Sequence, residues 1–206
     1  MAIYSTFFLC KPSDLIQNFP GWRLPLPAPV RRHVANPFTG QKSTIETREP
    51  EWPEEDDVQE QDYQAVAIEG NYQEYLERRL PLSLQACPHW AAKNLTHVEL
   101  GPLADALGEQ PKFEDALYGP PSRGALLQEL PGGMLSKLAS LDQRGLEALS
   151  DSWAAGMSTD DYTRSVTGAK LNDGWATTEA MQALEPIAAL AKRAAPDQRM
   201  YLLVEA

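Results

Sequence analysis

The hydrophobic periodicity of this chain changes from a strand pattern to a helical one and back along its length, and this order limits the folds open to it. Alternating β-rich runs come first, beginning with IYSTFFL at 3–9, and the pattern becomes helical after Gly132-Gly133. RMYLLVE at 199–205 then adds a last strand pattern. Strand and helix runs segregated in this way favour α+β over an alternating βαβ fold. We predict an α+β fold with a strand-rich N-terminal half, a helical C-terminal half and a C-terminal strand.

Local signals predict several individual elements. SLDQ at 140–143 matches a capping box that would begin one helix, and Thr177 or Thr178 would cap another that contains Pro186. NLTHVEL at 94–100 alternates and predicts a strand, whereas residues 108–125 are typical of a loop. Further patterns predict a turn at 36–40, strands at 41–47 and 63–69, and a helix at 72–80.

Eight of the 17 prolines fall between Pro12 and Pro53, which discourages helices there. Pro25, Pro27 and Pro29 alternate, which favours an extended polyproline II connector over a ligand for a proline-reading domain. We interpret the chain as a single domain, residues 1–206, from which residues 20–62 extend as a proline-rich and acidic arm.

The net charge is −11 and is unevenly distributed. Residues 1–45 carry a balance of +4, and the rest of the chain carries −15. Phosphate binding needs a basic face, so this balance argues against nucleic acid as a partner, and likewise against an anionic membrane surface. No apolar run approaches the roughly 18 residues of a membrane span. The charge favours a basic protein partner.

The acidic stretch, residues 46–62, holds nine acids and one arginine. A tryptophan among carboxylates resembles an interface anchor with a charged rim. The candidate partner-binding residues are Trp52, Glu54, Glu55, Asp56 and Asp57. Two alternatives are a solvated loop and internal pairing with arginines upstream. Those arginines are Arg23, Arg31 and Arg32.

CPHWAAKNLTHVE at 87–99 holds three of the five Cys and His residues of the chain. Cys87, His89, His97 and Glu99 are ligand types that suit zinc. Their spacing matches no standard zinc pattern, because a structural site usually brings two close, cysteine-dominated ligand pairs. We expect no metal and no cofactor, and keep a metal site formed by these four residues as the alternative.

The two cysteines, Cys10 and Cys87, are too sparse to require a disulfide, although they could pair. The opening MAIYSTFFLC is apolar but lacks the basic n-region of a secretory signal, and Lys11-Pro12 ends it early. We expect a cytoplasmic protein with both thiols reduced.

Common catalytic signatures are absent: the sequence has no G-x-S-x-G elbow, P-loop, dinucleotide fingerprint or H-E-x-x-H. In size, acidity, α+β pattern and missing motifs, the chain is similar to bacterial cytoplasmic proteins, and within them to immunity proteins of polymorphic toxin systems. The resemblance implies a protein-binding module that neutralises a basic partner or toxin. The alternative is an enzyme of unfamiliar type, a metal-dependent hydrolase using residues 87–99. The sequence favours the non-enzyme and leaves the oligomeric state open.

Overall fold

The α+β prediction is confirmed, with most strands in the N-terminal half, most helices in the C-terminal half and a final strand. The computed structural model describes residues 4–19, 21–35, 42–51, 87–93, 95–119, 125–157 and 177–205. The strands in these residues are β1 Tyr4–Cys10, β2 Val30–Ala35, β3 Lys42–Thr47, β4 His89–Lys93, β5 Glu114–Tyr118, β6 Ala125–Glu129 and β7 Arg199–Glu205. The helices are α1 Pro12–Asn18, α2 His97–Ala106, α3 Gly132–Ser140, α4 Gln143–Met157 and α5 Thr177–Ala191.

The main sheet has five strands in the order β4-β1-β7-β6-β5, and every neighbouring pair is antiparallel. The C-terminal strand β7 lies in the centre, between β1 and β6. Its register with β1 runs from Tyr4 opposite Glu205 to Cys10 opposite Arg199. The first and last strands of the described chain therefore form the middle of the sheet together.

Both faces of this sheet are covered. Successive strand residues point to opposite faces, so β1 sends Phe7 and Leu9 into the cluster beneath helices α2 to α5, and Phe8 and Cys10 into a second cluster. The second cluster is closed by α1 and the segment that follows it, and these contribute Leu15, Phe19 and Trp22. We call the two sides the helical face and the opposite face.

The helical layer is tied together around Trp153 of α4, which is fully buried. Its indole Nε1 donates a hydrogen bond to the backbone carbonyl of Glu99 in α2 at 2.8 Å. The same two helices approach closely at Gly156 and Pro102, where an added glycine Cβ would lie 2.9 Å from the proline Cβ. The absence of a side chain at Gly156 therefore permits this helix contact.

The predicted strand at 94–100 is wrong, because α2 begins at His97. Thr96 and Glu99 form a capping box: the Thr96 hydroxyl accepts from Val98 N, and the Glu99 carboxylate accepts from Thr96 N at 2.7 Å. These bonds satisfy backbone amides that a helix start leaves without partners. The T-x-x-E signal outweighs the apolar alternation here.

The capping box predicted at 140–143 is also wrong. Ser140 ends α3 and donates its hydroxyl to the carbonyl of Lys137, whereas the carboxylate of Asp142 accepts from Gly145 N at 2.8 Å. Asp142 caps α4 in place of Ser140. Its side chain is two residues nearer to the start of the helix, so its carboxylate reaches the free backbone amides of the first turn.

Of the other predictions, some concern residues that the structure describes and some concern residues outside those ranges. The loop prediction for 108–125 is wrong over Glu114–Tyr118, which pairs with β6 as strand β5. The strand prediction for 41–47 is confirmed by β3. The predictions for 36–40, 63–69 and 72–80 lie outside the described residues.

Candidate interaction surface

All five sequence-predicted partner-binding residues, Trp52, Glu54, Glu55, Asp56 and Asp57, lie outside the described residues. The structure describes the segment that leads into them, residues 42–51, together with its partner segment 21–35. The described part of the candidate surface is therefore the base of the predicted arm.

Strands β2 and β3 form a two-stranded antiparallel ribbon, with register from Val30 opposite Thr47 to Ala35 opposite Lys42. Within the described part of the chain, neither strand pairs with any other strand. A lone two-stranded ribbon is marginally stable in water and needs further packing. The ribbon therefore depends on its attachments, or on a partner, for its stability.

The base of the ribbon is attached to the edge of the main sheet through its flanking segment. Arg23 and Tyr118 of β5 exchange two backbone hydrogen bonds, of 2.9 and 2.8 Å. The backbone N–H of Leu26 donates to the carbonyl of Arg48 at 2.7 Å, and the Arg48 side chain donates back to the Leu26 carbonyl. The proline-rich segment is thus bonded to the residue that follows β3, as a structured connector would be.

Two apolar side chains are exposed on one face of the ribbon, which they share with Arg32 and Thr47. Val30 and Ile45 share this face because Val30 pairs with Thr47, two residues from Ile45, and they are 38% and 43% exposed. Leu24, just before the ribbon, is 64% exposed. The other exposed large apolar side chain of the described residues is Ile16 of α1, so three of these four side chains lie on the arm. Sequence reasoning predicted the strand that contains Ile45, but it did not predict that these side chains are exposed.

The opposite side of the ribbon is polar. Arg31 pairs with Glu46 at 3.1 Å, and the hydroxyl of Thr44 lies 3.1 Å from Nδ1 of His33. Both charged side chains of the pair are well exposed, so it contributes at most about 1 kcal/mol. The exposed Val30 and Ile45 therefore lie on the face away from these polar pairs.

Arginines of the arm pair with the start of the acidic stretch, as one of the sequence alternatives predicted. Besides the Arg31 pair, Arg32 lies 3.9 Å from the Glu49 carboxylate and donates to the Glu49 carbonyl at 2.7 Å. Arg23 donates to the carbonyl of Glu51 at 2.7 Å. These bonds hold residues 46–51 against the segment 21–35.

The four residues of the alternative metal site make other contacts. The Nδ1 atom of His89 lies 2.9 Å from the Cys87 carbonyl, and the His97 ring lies beside Phe113 with centroids 6.3 Å apart. The Glu99 carboxylate caps α2. Nowhere in the described ranges do three or more His, Cys, Asp or Glu side chains form a group that could hold a metal ion.

We predict that the purified protein binds no stoichiometric transition metal, because Glu99 is engaged by Thr96 and the two histidines have separate partners. Elemental analysis after dialysis against a zinc buffer measures this. About one zinc per chain, lost in both His89→Ala and His97→Ala, would contradict the prediction.

A cleft of about 510 Å³ lies between the start of α3 and the segment that links α5 to β7. Leu130, Leu135 and Met200 contribute apolar walls, and the charged groups at its rim are already paired. The rim pairs are Lys11 with Asp197 at 2.7 Å and Arg199 with Glu129 at 3.3 Å. The described lining residues thus form a cleft but do not bring a set of reactive groups together. The cleft therefore gives no specific support to an enzymatic function.

Comparison with protein-family models, with curated proteins and with solved structures finds no match to this chain. The function of this chain is therefore inferred from its own residues. Among the described residues, no helix combines the length and the apolar character needed to cross a bilayer.

Proposed function

We propose that this chain is a protein-binding module that engages a basic protein partner through its arm. The observation that carries the proposal is the pair of exposed apolar side chains on the ribbon, Val30 and Ile45, which lie beside the start of the acidic stretch. Exposed apolar surface next to polar residues is typical of protein interaction sites. A ribbon without a third strand among the described residues also gains packing when a partner covers it.

The two parts of the arm contribute to different steps of binding. Nine acids in 46–62 create a local negative potential that attracts a basic surface. At physiological salt this potential is screened over about 8 Å, so it acts on encounter and on the rim of the interface. Burial of Trp52, Val30 and Ile45 acts after contact and slows dissociation.

The finer proposal concerns the partner. A net charge of −11 on a chain of 206 residues suits the capture of a strongly basic protein. A bacterial toxin that binds nucleic acid has such a surface, because phosphate contacts require it. The module would neutralise the toxin by covering that surface, as the similarity to immunity proteins implies.

The test begins with affinity capture of the partner from the source cell, followed by binding kinetics with the purified pair. We expect reversal of Glu54, Glu55, Asp56 and Asp57 to lysine to slow association about tenfold or more and to flatten its salt dependence. Trp52→Ala should instead raise the dissociation rate, since an aromatic anchor contributes after contact.

The matched control reverses four exposed acids on the helical layer and changes the net charge by the same amount. Its four substitutions are Asp105→Lys, Glu147→Lys, Asp151→Lys and Glu185→Lys. Association should slow much less in this control than in the arm variant. Equal rates for the two variants would show that the acidic stretch is not the docking surface, and an unchanged rate for the arm variant would show that it is only a solvated segment.

A third variant tests the ribbon itself. Val30→Ser combined with Ile45→Ser removes apolar surface from the exposed face without changing charge. We expect faster dissociation of the partner, with an unchanged salt dependence of association. Ile16→Ser on α1 is the control, since it removes a similarly exposed apolar side chain away from the arm. If both changes raise dissociation equally, the ribbon is not part of the interface.

A further inference from the structure

The two cysteines are 77 positions apart in the sequence, and the pairing of β1 with β4 brings them close together on one face of the sheet. β1 and β4 are antiparallel with Phe8 opposite His89, and continuing this register places Cys10 opposite Cys87. Leu9 N donates to the Pro88 carbonyl at 3.0 Å, so the neighbouring cysteine pair is at a non-hydrogen-bonded position, where opposed side chains are closest.

Both cysteines are free, and Cys87 packs against the cluster of the opposite face that contains Cys10. Opposed Cα atoms at such a position are separated by a distance that a disulfide spans without backbone movement. The strand pairing itself therefore preorganises the two sulfur atoms.

The two thiols differ in access and in surroundings. Cys10 is 3% exposed and accepts a hydrogen bond from Nδ2 of Asn18 at 3.4 Å, whereas Cys87 is half-buried. A small oxidant can therefore reach Cys87 before it reaches Cys10. This difference suits a mechanism in which Cys87 is oxidised first and Cys10 then reacts with the oxidised Cys87 to form the disulfide.

We propose that Cys10 and Cys87 form a dithiol that hydrogen peroxide oxidises to a cross-strand disulfide. The Cys87 thiolate attacks one oxygen of hydrogen peroxide, the O–O bond breaks, and a sulfenic acid and water form after proton transfer. The Cys10 sulfur then attacks the Cys87 sulfur and expels a second water as the S–S bond forms. Two thiols are oxidised by two electrons, and one peroxide is reduced to two waters.

The disulfide would close a loop that contains the whole arm. The loop closed between residues 10 and 87 contains α1, the proline-rich segment, the ribbon and the acidic stretch. The bond would also tie β4, at one edge of the five-stranded sheet, to its neighbour β1. This site is independent of the proposed function, because it needs no partner.

Burial raises the pKa of both thiols, and the nearby Asp14 carboxylate of α1 raises both further. The thiolate is the reactive form, so the native protein should oxidise slowly at neutral pH and faster under mildly alkaline conditions. The oxidation is therefore measured at pH 8.5 as well as at pH 7, with the same peroxide concentration.

The first test treats the native protein with hydrogen peroxide, alkylates the remaining thiols and maps the peptides by mass spectrometry. We expect one intramolecular disulfide that joins the Cys10 and Cys87 peptides. Cys87→Ser should leave Cys10 largely unmodified, and Cys10→Ser should leave Cys87 as a sulfenic acid that dimedone traps. Disulfide-linked dimers in place of the internal bond, or two free thiols after prolonged treatment, would overturn the proposal.

The second test needs no variant, and so does not depend on whether a cysteine substitution folds. The protein is equilibrated with glutathione redox buffers, once native and once in urea. We expect the native fold to favour the disulfide about a thousandfold over the unfolded chain, and oxidation to raise Tm by about 10 °C. A ratio near one, or a lower Tm on oxidation, would show that the native geometry does not favour the bond.

Discussion

Trp153→Ala is expected to lower the free energy of unfolding by about 3–5 kcal/mol, the range for deleting a buried aromatic side chain. The indole is fully buried in the cluster of the helical face, and its Nε1 bonds α4 to the Glu99 carbonyl of α2. Alanine would leave a cavity between these helices and remove the donor to the Glu99 carbonyl. Urea unfolding followed by far-UV circular dichroism measures the effect.

Trp153→Phe is the matched control, because it keeps an aromatic ring in the cluster and removes the donor. It should cost less than the alanine variant, with about 1–3 kcal/mol assigned to the lost hydrogen bond and the smaller ring. A loss below about 1 kcal/mol for Trp153→Ala would contradict the packing of α4 against α2.

Phe8→Ala tests the opposite face of the sheet and is expected to cost about 3–5 kcal/mol. Phe8 is fully buried, and its ring centroid lies 5.6 Å from that of Tyr201 and 6.0 Å from that of Phe19. The substitution would open a cavity beneath α1 and remove two aromatic contacts. The same urea titration provides the measurement.

Two controls separate this effect from general damage to the N-terminal segment. Phe8→Leu keeps most of the apolar volume and should cost clearly less than alanine. Ile16→Ala, on the exposed side of α1, should change stability by no more than about 0.5 kcal/mol. If Phe8→Ala were as mild as Ile16→Ala, α1 and the segment after it would not cover this face of the sheet.

The parts of the fold that local periodicity predicted share one property: their own residues carry the signal. α4 has Leu146, Leu149 and Trp153 on one side, and all three are buried. β1 and β7 are apolar strand runs whose side chains are buried on both faces of the sheet. Such elements need no distant partner to be recognised, because their pattern records which side is buried.

The errors occurred where two local signals competed, or where none existed. Residues 94–100 alternate, but Thr96 and Glu99 also provide a capping box, and the helix start was the stronger signal. Residues 114–118 have no strong strand pattern, and they become β5 because β6 presents unpaired backbone groups beside them. Pairing between segments supplied information that neither segment contains alone.

The candidate surface was predicted only in part. Charge composition directed attention to the acidic stretch and to the arginines that pair with its first residues, as Arg31 and Arg32 do with Glu46 and Glu49. The exposed apolar pair of the ribbon was not predicted, because Val30 and Ile45 share a face only through the β2–β3 register. Their exposure depends on what packs nearby, which composition does not contain.

By itself, the sequence determined the fold class, the first and last strands, the two long C-terminal helices and the acidic charge, because each depends on neighbouring residues or on totals. The tertiary structure alone decided which strands are neighbours. It placed the C-terminal strand in the centre of the sheet and Cys10 opposite Cys87, which the sequence separates by most of the first half of the chain. The physical reason is that backbone hydrogen bonding is the same for every residue type, so strand partners are selected by packing of the whole chain.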